Sequence, residues 1–430
     1  MKDTFYDALE TREPAAREAA LMAALPAQVQ AAQGTAAFAE LLANVDAAAI
    51  TSRSALAQLP VTRKHELLER QKAQREQHRE QLGGDVFGGY SAIGWRNQGA
   101  LRPARRVFQS PGPIYEPEGA APDYWRTARA LHAAGFRAGD LVHNSFSYHL
   151  TPAGSMMESG AHTLGCTVFA GGVGNTELQL QAISELRADG YAGTPSFLRI
   201  LLEKAAETGV ALPMLKKALV SGEAFPPSLQ AAFRERGIEG HQAYATADVG
   251  LIAYETAARQ GLVLDEGVIV EIVRPGTATT LPPGEVGEVV VTVLNADYPL
   301  LRFGTGDLSA VLPGFCSSGR TNIRIKGWLG RADQTAKVRG MFVHPSQVAE
   351  VLKRHPEIGR ARLVVRGEMA DDRMTLHVEC AEFATAPEGL AAAVTQTLRD
   401  VTKLRGEVET CAPGSLPNDG KVIEDARSYS

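Results

Sequence analysis

The sequence reads as an α/β protein in two parts, a large N-terminal multilayer α/β domain over residues 1–330 and a small C-terminal α+β domain over 331–430. Three observations predict this. A chain of 430 residues exceeds what one hydrophobic core usually supports. Between Arg105 and Gly330, short β-branched runs such as KALVSG and GEVVVTVL alternate with helical stretches such as LQLQAISELRADG, the pattern of stacked α/β layers. Beyond Arg331 the order becomes strand, helix (HPSQVAEVLKRH), strand (ARLVVRG), strand (MTLHVECA), helix (LAAAVTQTLRDV), strand and a Gly/Pro/Asn loop, enough for a separate small domain.

Residues 1–82 form a helical preface to the large domain. From Pro14 to Leu82 the chain carries Ala, Leu, Glu and Gln at helical spacing, broken at LPVTRK (Leu59–Lys64), and no strand is expected there. With 44% hydrophobic and 22% charged residues, the composition is that of an ordinary globular protein. A formal net charge of −5 and the lack of a dense Lys/Arg run predict no nucleic-acid partner. Apolar stretches are short and interrupted by Gly, Thr or charge, so no membrane span is expected. The opening MKDTFYDALETREPAAREAA lacks the apolar stretch of a secretion signal. Cys166, Cys316, Cys380 and Cys411 are widely scattered, which fits reduced thiols in a cytoplasm better than disulfides.

Several motifs carry chemistry. GRADQTAKVRGMFVHPSQVAEVL (Gly330–Leu352) joins the two parts and presents Arg331 and Asp333. PLLRFGTGDL (Pro299–Leu308) leads to Asp307, a carboxylate that only accepts hydrogen bonds and so can hold two hydroxyls at once. SGEAFPP (Ser221–Pro227) follows a strand, and Gly222 there lets another group come close to the backbone. PGSLPNDGKVIEDAR carries Lys421 between Gly420 and Asp425. Taken singly, each has a plainer reading: an Arg331–Asp333 ion pair in a turn, a β-turn aspartate, a turn glycine, a solvated lysine.

Together these motifs resemble the phenylacetate-CoA ligase family of adenylate-forming enzymes, and the likeness runs along the whole chain. The resemblance implies an adenylate-forming fold whose small domain is mobile, turning about Asp333 between two half-reactions. It implies nucleotide contacts from Ser221, Gly222, Glu223 and Tyr244, ribose contacts from Asp307 and Arg331, and a catalytic Lys421 that neutralises charge as a carboxylate attacks the α-phosphorus. The cofactors implied are ATP, Mg2+ and coenzyme A.

The chain also departs from the family pattern. A Ser/Thr/Gly-rich loop should hold the β- and γ-phosphates, but the corresponding FQSPGPIYEPEG keeps only Ser110 and Gly112. Pro111, Pro113 and Pro117 lack backbone N–H groups, and Glu116 and Glu118 repel a polyphosphate unless a metal ion intervenes. In YATAD (Tyr244–Asp248) the family hydroxyl becomes Ala247 and the Mg2+-binding Glu becomes Asp248, still a competent magnesium ligand. A zinc site of the kind found in relatives is not expected, because YETAARQGLVL holds no Cys or His and FCSSGRT only Cys316.

Phe146, Tyr148, Thr151 and Gly172 fall where the family lines its acyl pocket, with Thr151 replacing a common aromatic residue. Met156 and Met157 can border that pocket or simply fill core. His149 and His162 have no proton to remove in adenylation. G-x-G-x-x-G after a strand, G-x-S-x-G and H-E-x-x-H are all absent, which removes the dehydrogenase, hydrolase and zinc-protease readings. Two functions stay open: an ATP-dependent ligase joining an aryl acid to CoA through an acyl-AMP, and a non-adenylating member that binds acyl-AMP, acyl-CoA or free acid as a pathway partner. A homodimer is the default assembly for such an enzyme.

Overall fold

In the large part, the carboxyl ends of parallel strands converge on one edge, and that edge is where most of the candidate residues fall. The computed structural model describes residues 4–77, 85–95, 102–329, 331–332, 334, 336–339, 341–343, 345–367, 372–380, 389–417 and 421–427. The chain divides into two units, Met1–Leu329 and Gly330–Ser430.

Among the described residues, the first unit contains a nine-stranded sheet. Its parallel portion runs Glu239–Thr246, Lys217–Val220, Gly190–Gly193, Leu141–Asn144, Thr167–Ala170. These short strands are joined through helices such as Ala153–Thr163 and Pro195–Thr208, as parallel crossovers require. From Glu239–Thr246 the sheet continues antiparallel through Gly250–Glu255 and Leu262–Leu264. Strand order reverses beside Leu141–Asn144, whose successors in sequence lie on opposite sides of it, and such a switch point opens a crevice at the strands' carboxyl ends.

A second, four-stranded sheet joins Val268–Val273, Gly287–Val293 and Phe303–Ser309 to a short strand, Thr62–Arg63. That short strand corrects the expectation of a preface without strands: Thr62 and Arg63 pair in parallel with Phe303 and Gly304. Pro60 disfavours helix, β-branched Val61 and Thr62 prefer extended backbone, and the Phe303–Ser309 edge offers partners. The rest of the preface is helical. Pro14–Gln33 places Leu21, Leu25 and Val29 four residues apart on one stripe, which packs into the same core as Ile269, Val291 and Phe303. Ion pairs fix the chain start as well: Arg17 to Glu266 at 2.9 Å and Arg129 to Asp7 at 2.7 Å.

Arg302 binds preface to sheet. Its side chain is 0% exposed, and all five guanidinium N–H donors are used. Nε and Nη2 donate to the two oxygens of Glu271 at 2.9 and 3.1 Å, Nη1 to the carbonyls of Ala57 and Leu59, and the remaining Nη2 proton to Ala278 O at 3.0 Å.

The second unit is smaller. Strands Arg373–Cys380, Ile358–Arg366 and Glu407–Cys411 with Ile423–Asp425 make a four-stranded sheet, and helices Pro345–Arg354 and Leu390–Thr402 share its core through Val348, Val351, Val394 and Leu398.

Removing one partner of a buried ion pair leaves an uncompensated charge. Arg302→Met is therefore expected to lower unfolding stability by about 3–5 kcal/mol, measured by urea denaturation. A loss below about 1 kcal/mol would contradict the role given to this clamp.

Candidate active site

Five segments leave the carboxyl ends of neighbouring parallel strands: Asn144 to Tyr148, Gly171 to Gly172, Gly193 to Ser196, Ser221 to Glu223, and Tyr244 to Asp248. Buried Gln179 ties the first two together. Its amide donates to Gly172 O and Gly174 O, both at 2.7 Å, and its Oε1 faces Ser145 Oγ at 2.7 Å and His143 Nε2 at 2.8 Å. Asn144 holds the turn after its strand, donating to Tyr148 Oη at 2.8 Å and Gly154 O at 2.9 Å.

At the next strand end, the Ser221 hydroxyl donates to Ala243 O at 2.8 Å, Gly222 has φ +81°, and Glu223 Oε2 accepts from Ser196 N at 3.3 Å. A left-handed φ at this strand end is the conformation that favours glycine. Asp307 is buried and held from both sides. The Tyr244 hydroxyl donates to its Oδ2 at 2.9 Å and also lies 3.1 Å from Thr305 Oγ1, while Trp328 Nε1 donates to its Oδ1 at 3.1 Å. A carboxylate only accepts hydrogen bonds and offers about four acceptor positions.

The segment expected to form a broken phosphate loop is instead a β-hairpin. Arg106–Ser110 pairs antiparallel with Ile114–Glu118, from Arg106 opposite Glu118 to Ser110 opposite Ile114. Ser110 lies in the first strand, buried, and its hydroxyl donates to Glu116. Gly112 sits in the turn, with the Leu68 side chain 3.3 Å from where a Cβ would stand. Glu118 is enclosed by Arg106 and Ser155, accepting from Ser155 Oγ at 2.8 Å.

Glu116 and Asp248 form a second buried group with Lys64. The Lys64 ammonium lies 2.9 Å from Asp248 Oδ2, and Asp248 is only 3% exposed. Burial, and after it the negative charge of Asp248, push the Glu116 carboxyl up to about 8, while the Lys64 charge pulls the other way. Burial also raises the neighbouring Tyr298 phenol, helped by the charges of Asp248 and Glu116. Glu116 Oε2, Asp248 Oδ1 and Tyr298 Oη are buried with no hydrogen-bond partner among the described residues. Such orphans mark a place for water or an ion. Two carboxylate oxygens suit magnesium, which is held by one or two carboxylates and keeps water and phosphate oxygens besides.

The remaining candidate residues differ in burial. Phe146 is buried in the core with Leu131, Met157 and Leu219, whereas Tyr148, Thr151 and Gly172 are half-buried. Met156 packs with Tyr124 and Trp125, and His149 and His162 are exposed. Cys316 is buried beside two hydroxyls, Ser318 Oγ at 3.0 Å and Thr256 Oγ1 at 3.7 Å. Among the described residues no group of three or more His, Cys, Asp and Glu side chains is placed to hold a metal ion. No helix of the described residues is long and apolar enough to cross a membrane.

In the second unit, Arg331 is half-buried and Lys421 is exposed. Gln334 Oε1 accepts from Val422 N, next to Lys421, at 2.8 Å. Asp333 lies outside the described residues. Lys64, Glu116 and Trp328 complete the site and were not singled out from sequence as ligands. A signal existed for Lys64, because it follows a break in helical spacing that ends in β-branched residues.

Buried carboxylates thus gather at the carboxyl end of the parallel sheet, and the second, smaller unit carries an exposed lysine. The chain matches the AMP-binding enzyme family over residues 126–293 and the AMP-binding enzyme C-terminal domain over 340–425. It is 31% identical to a phenylacetate-coenzyme A ligase of Aromatoleum evansii over 311 residues, covering 68% of this chain and 70% of that protein. It is 34% identical to the phenylacetate-coenzyme A ligase of Thermus thermophilus over 264 residues, 59% of each chain. The aligned stretch thus spans less than two thirds of the Thermus protein. The fold is similar to that of 2-hydroxyisobutyryl-CoA ligase in complex with 2-HIB-AMP and CoA, with a TM-score of 0.78 at 23% identity, covering 98% of this chain and 92% of that one. The chain belongs to the phenylacetate-CoA ligase family of adenylate-forming enzymes.

The raised Glu116 carboxyl has a sign. It holds its proton more tightly in the folded chain than in the unfolded one, where it titrates near 4.5, so its stabilising contribution is complete below that pH and is lost as pH rises toward 8. Between about pH 5 and 8.5 the wild type is expected to lose on the order of 2 kcal/mol of stability relative to Glu116→Gln, followed by urea unfolding at each pH. Parallel curves for the two proteins would contradict it.

Proposed function

We propose that the chain is an ATP-dependent acid–thiol ligase that activates an aryl carboxylic acid as its acyl-AMP and transfers the acyl group to coenzyme A. The observation that carries this reading is Asp307, a buried carboxylate oriented by the Tyr244 hydroxyl and Trp328 Nε1 beside the carboxyl end of the parallel sheet, an acceptor-only group suited to ribose hydroxyls. Similarity to proteins named phenylacetate-coenzyme A ligases supports the acid–CoA chemistry and an aryl substrate.

In the first half-reaction a carboxylate oxygen of the acid attacks the α-phosphorus of ATP. The new O–P bond forms as the bond to the β-phosphate's bridging oxygen breaks, and pyrophosphate leaves. Ser221, Gly222, Glu223 and Tyr244 line the nucleotide side, and Asp307 and Arg331 hold the ribose. Lys421 brings positive charge to the phosphate oxygens as negative charge builds there. Asp248, with Glu116 adjacent, would hold a magnesium ion, which would supply charge compensation for the phosphates. In the second half-reaction the CoA sulfur attacks the acyl carbonyl, the mixed anhydride opens and AMP leaves. The segment around Asp333 is the hinge on which the small domain changes its role between the two steps.

Phe146, Tyr148, Thr151 and Gly172 border the acid. The smaller Thr151 favours an aryl acid with bulk on that side. The reading places the enzyme in the cytoplasm, with its thiols reduced.

A second reading is favoured by one observation: the hairpin offers Glu116 and prolines where polyphosphate should rest. On that reading the chain binds a preformed acyl-AMP, an acyl-CoA or the free acid without using ATP. Calorimetric titration with Mg·ATP and with AMP separates the two. ATP binding at least as tight as AMP, followed by acid-dependent pyrophosphate release, supports the ligase. AMP binding with ATP rejected supports the second reading.

Lys421→Ala is expected to slow acyl-AMP formation about 100- to 1,000-fold, the usual loss for one charge-stabilising group, while preformed acyl-AMP and CoA still yield thioester at near wild-type rate. Equal loss in both steps would remove Lys421 from the first.

A further inference from the structure

We propose that Gln179 is a positioning residue for the carboxylic acid, setting Gly172 against Tyr148 through the turns that carry them; the inference rests on the acid-activating reading above. Gln179 is not itself a ligand. It is 3% exposed, and all four hydrogen-bonding positions of its amide are used within the protein. It acts through the loop it grips.

That loop has little of its own to hold one shape. Gly172, Gly174 and Asn175 stand at φ +68°, +74° and +51°, and a left-handed backbone costs glycine nothing but gains it nothing either. Outside ties supply the shape. Gly171 N and Gly172 N both donate to Asn144 O, at 2.9 and 3.0 Å, and the Gln179 amide draws in the carbonyls of Gly172 and Gly174. The packing beneath is close: a Cβ on Gly171 would stand 2.8 Å from Gln179 Oε1 and 2.9 Å from His143 Nε2.

The two loop carbonyls also decide which way the amide points. An oxygen facing them would be repelled, so the NH2 end takes them and Oε1 is left toward Ser145 Oγ and His143 Nε2. Both neighbours must therefore donate. His143 is fixed as its Nε2–H tautomer, with Nδ1 bare, buried and without a hydrogen-bond partner among the described residues, and with its ring stacked on Phe169 at 5.1 Å. Burial lowers the imidazole's pKa, which favours this neutral form.

Asn144 carries the tie across to Tyr148. Its carbonyl takes the Gly171 and Gly172 amides, while its side chain donates to Tyr148 Oη at 2.8 Å and to Gly154 O at 2.9 Å. Ser145, the next residue, is bonded to Gln179. Helix Thr176–Leu186 thus grips both its own entry loop and the turn after Leu141–Asn144 with a single side chain. Without that side chain two loop carbonyls lose their donor, and Gly172 is no longer fixed relative to Tyr148.

The test uses the full chain, with phenylacetate and benzoate as probe acids, and follows pyrophosphate release at steady state. Gln179→Leu is expected to raise KM for the better acid at least about tenfold, with kcat and KM for ATP changed less than about threefold, since it removes placement of the acid and no charge at the phosphorus. Gln179→Glu keeps the acceptor for Ser145 and His143 but loses the donors to the loop, so its acid KM is expected to match that of Gln179→Leu. Nitrogen NMR of the wild-type histidine rings gives an independent answer should neither variant fold: His143 is expected to carry its proton on Nε2, and its signals to shift with acid plus AMP but not with AMP alone. An acid KM near wild type in either variant, parallel changes in acid KM, ATP KM and kcat, a His143 proton on Nδ1, or unmoved His143 signals each overturns the inference and leaves the ligase reading standing. A wild type that releases pyrophosphate with neither acid overturns both.

Discussion

The geometry of the large domain depends on a guanidinium that never meets water. Arg302 uses its five donors to join Glu271 in one strand, Ala278 in the loop beyond it, and the carbonyls of Ala57 and Leu59 in the turn that precedes the Thr62–Arg63 strand. Buried ion pairs give little net stability compared with apolar substitutes, so position, more than strength, is what this one supplies. It fixes where the preface enters the sheet. The pairing of Thr62 with Phe303 follows, and from that pairing follows the place of Lys64. Arg302 itself sits at φ +43°, a conformation that costs energy in a side-chain-bearing residue and is held only because five acceptors converge on it.

Two buried carboxyls in the same crevice show how neighbours assign different tasks to like groups. Asp307 receives hydrogen bonds from Tyr244 and Trp328, so its negative charge is met by fixed donors and is oriented before any ligand arrives. Glu116 receives one from Ser110 and shares its enclosure with Asp248, so burial favours its neutral form.

Much of this was legible in the sequence. Ser221 and Tyr244 stand at or near the carboxyl ends of parallel strands, and in an α/β layer such ends gather at the crevice, while Asp307 lies within Phe303–Ser309 of the second sheet and meets them through the Tyr244 hydroxyl. The two-part pattern was legible from the change in strand and helix order near Arg331. The hairpin is marked in the sequence by alternation: Ile114, Glu116 and Glu118 fall on one face of a period-two strand beside a Gly-Pro turn. Lys64 and Trp328 escaped. Their partners lie 184 and 21 residues away, and no local pattern encodes a meeting that depends on a strand as short as Thr62–Arg63. Arg302 stood in the quoted PLLRFGTGDL yet gave no sign that it would be buried, since arginine alone suggests surface.

One contact crosses between the two ends of the crevice. The hairpin's Gln109 N donates to Leu150 O at 2.8 Å, and Leu150 immediately precedes Thr151 on the acyl side. The hairpin and the turn after Asn144 therefore share a backbone seam, so a substitution that shifts the backbone of one is transmitted to the other.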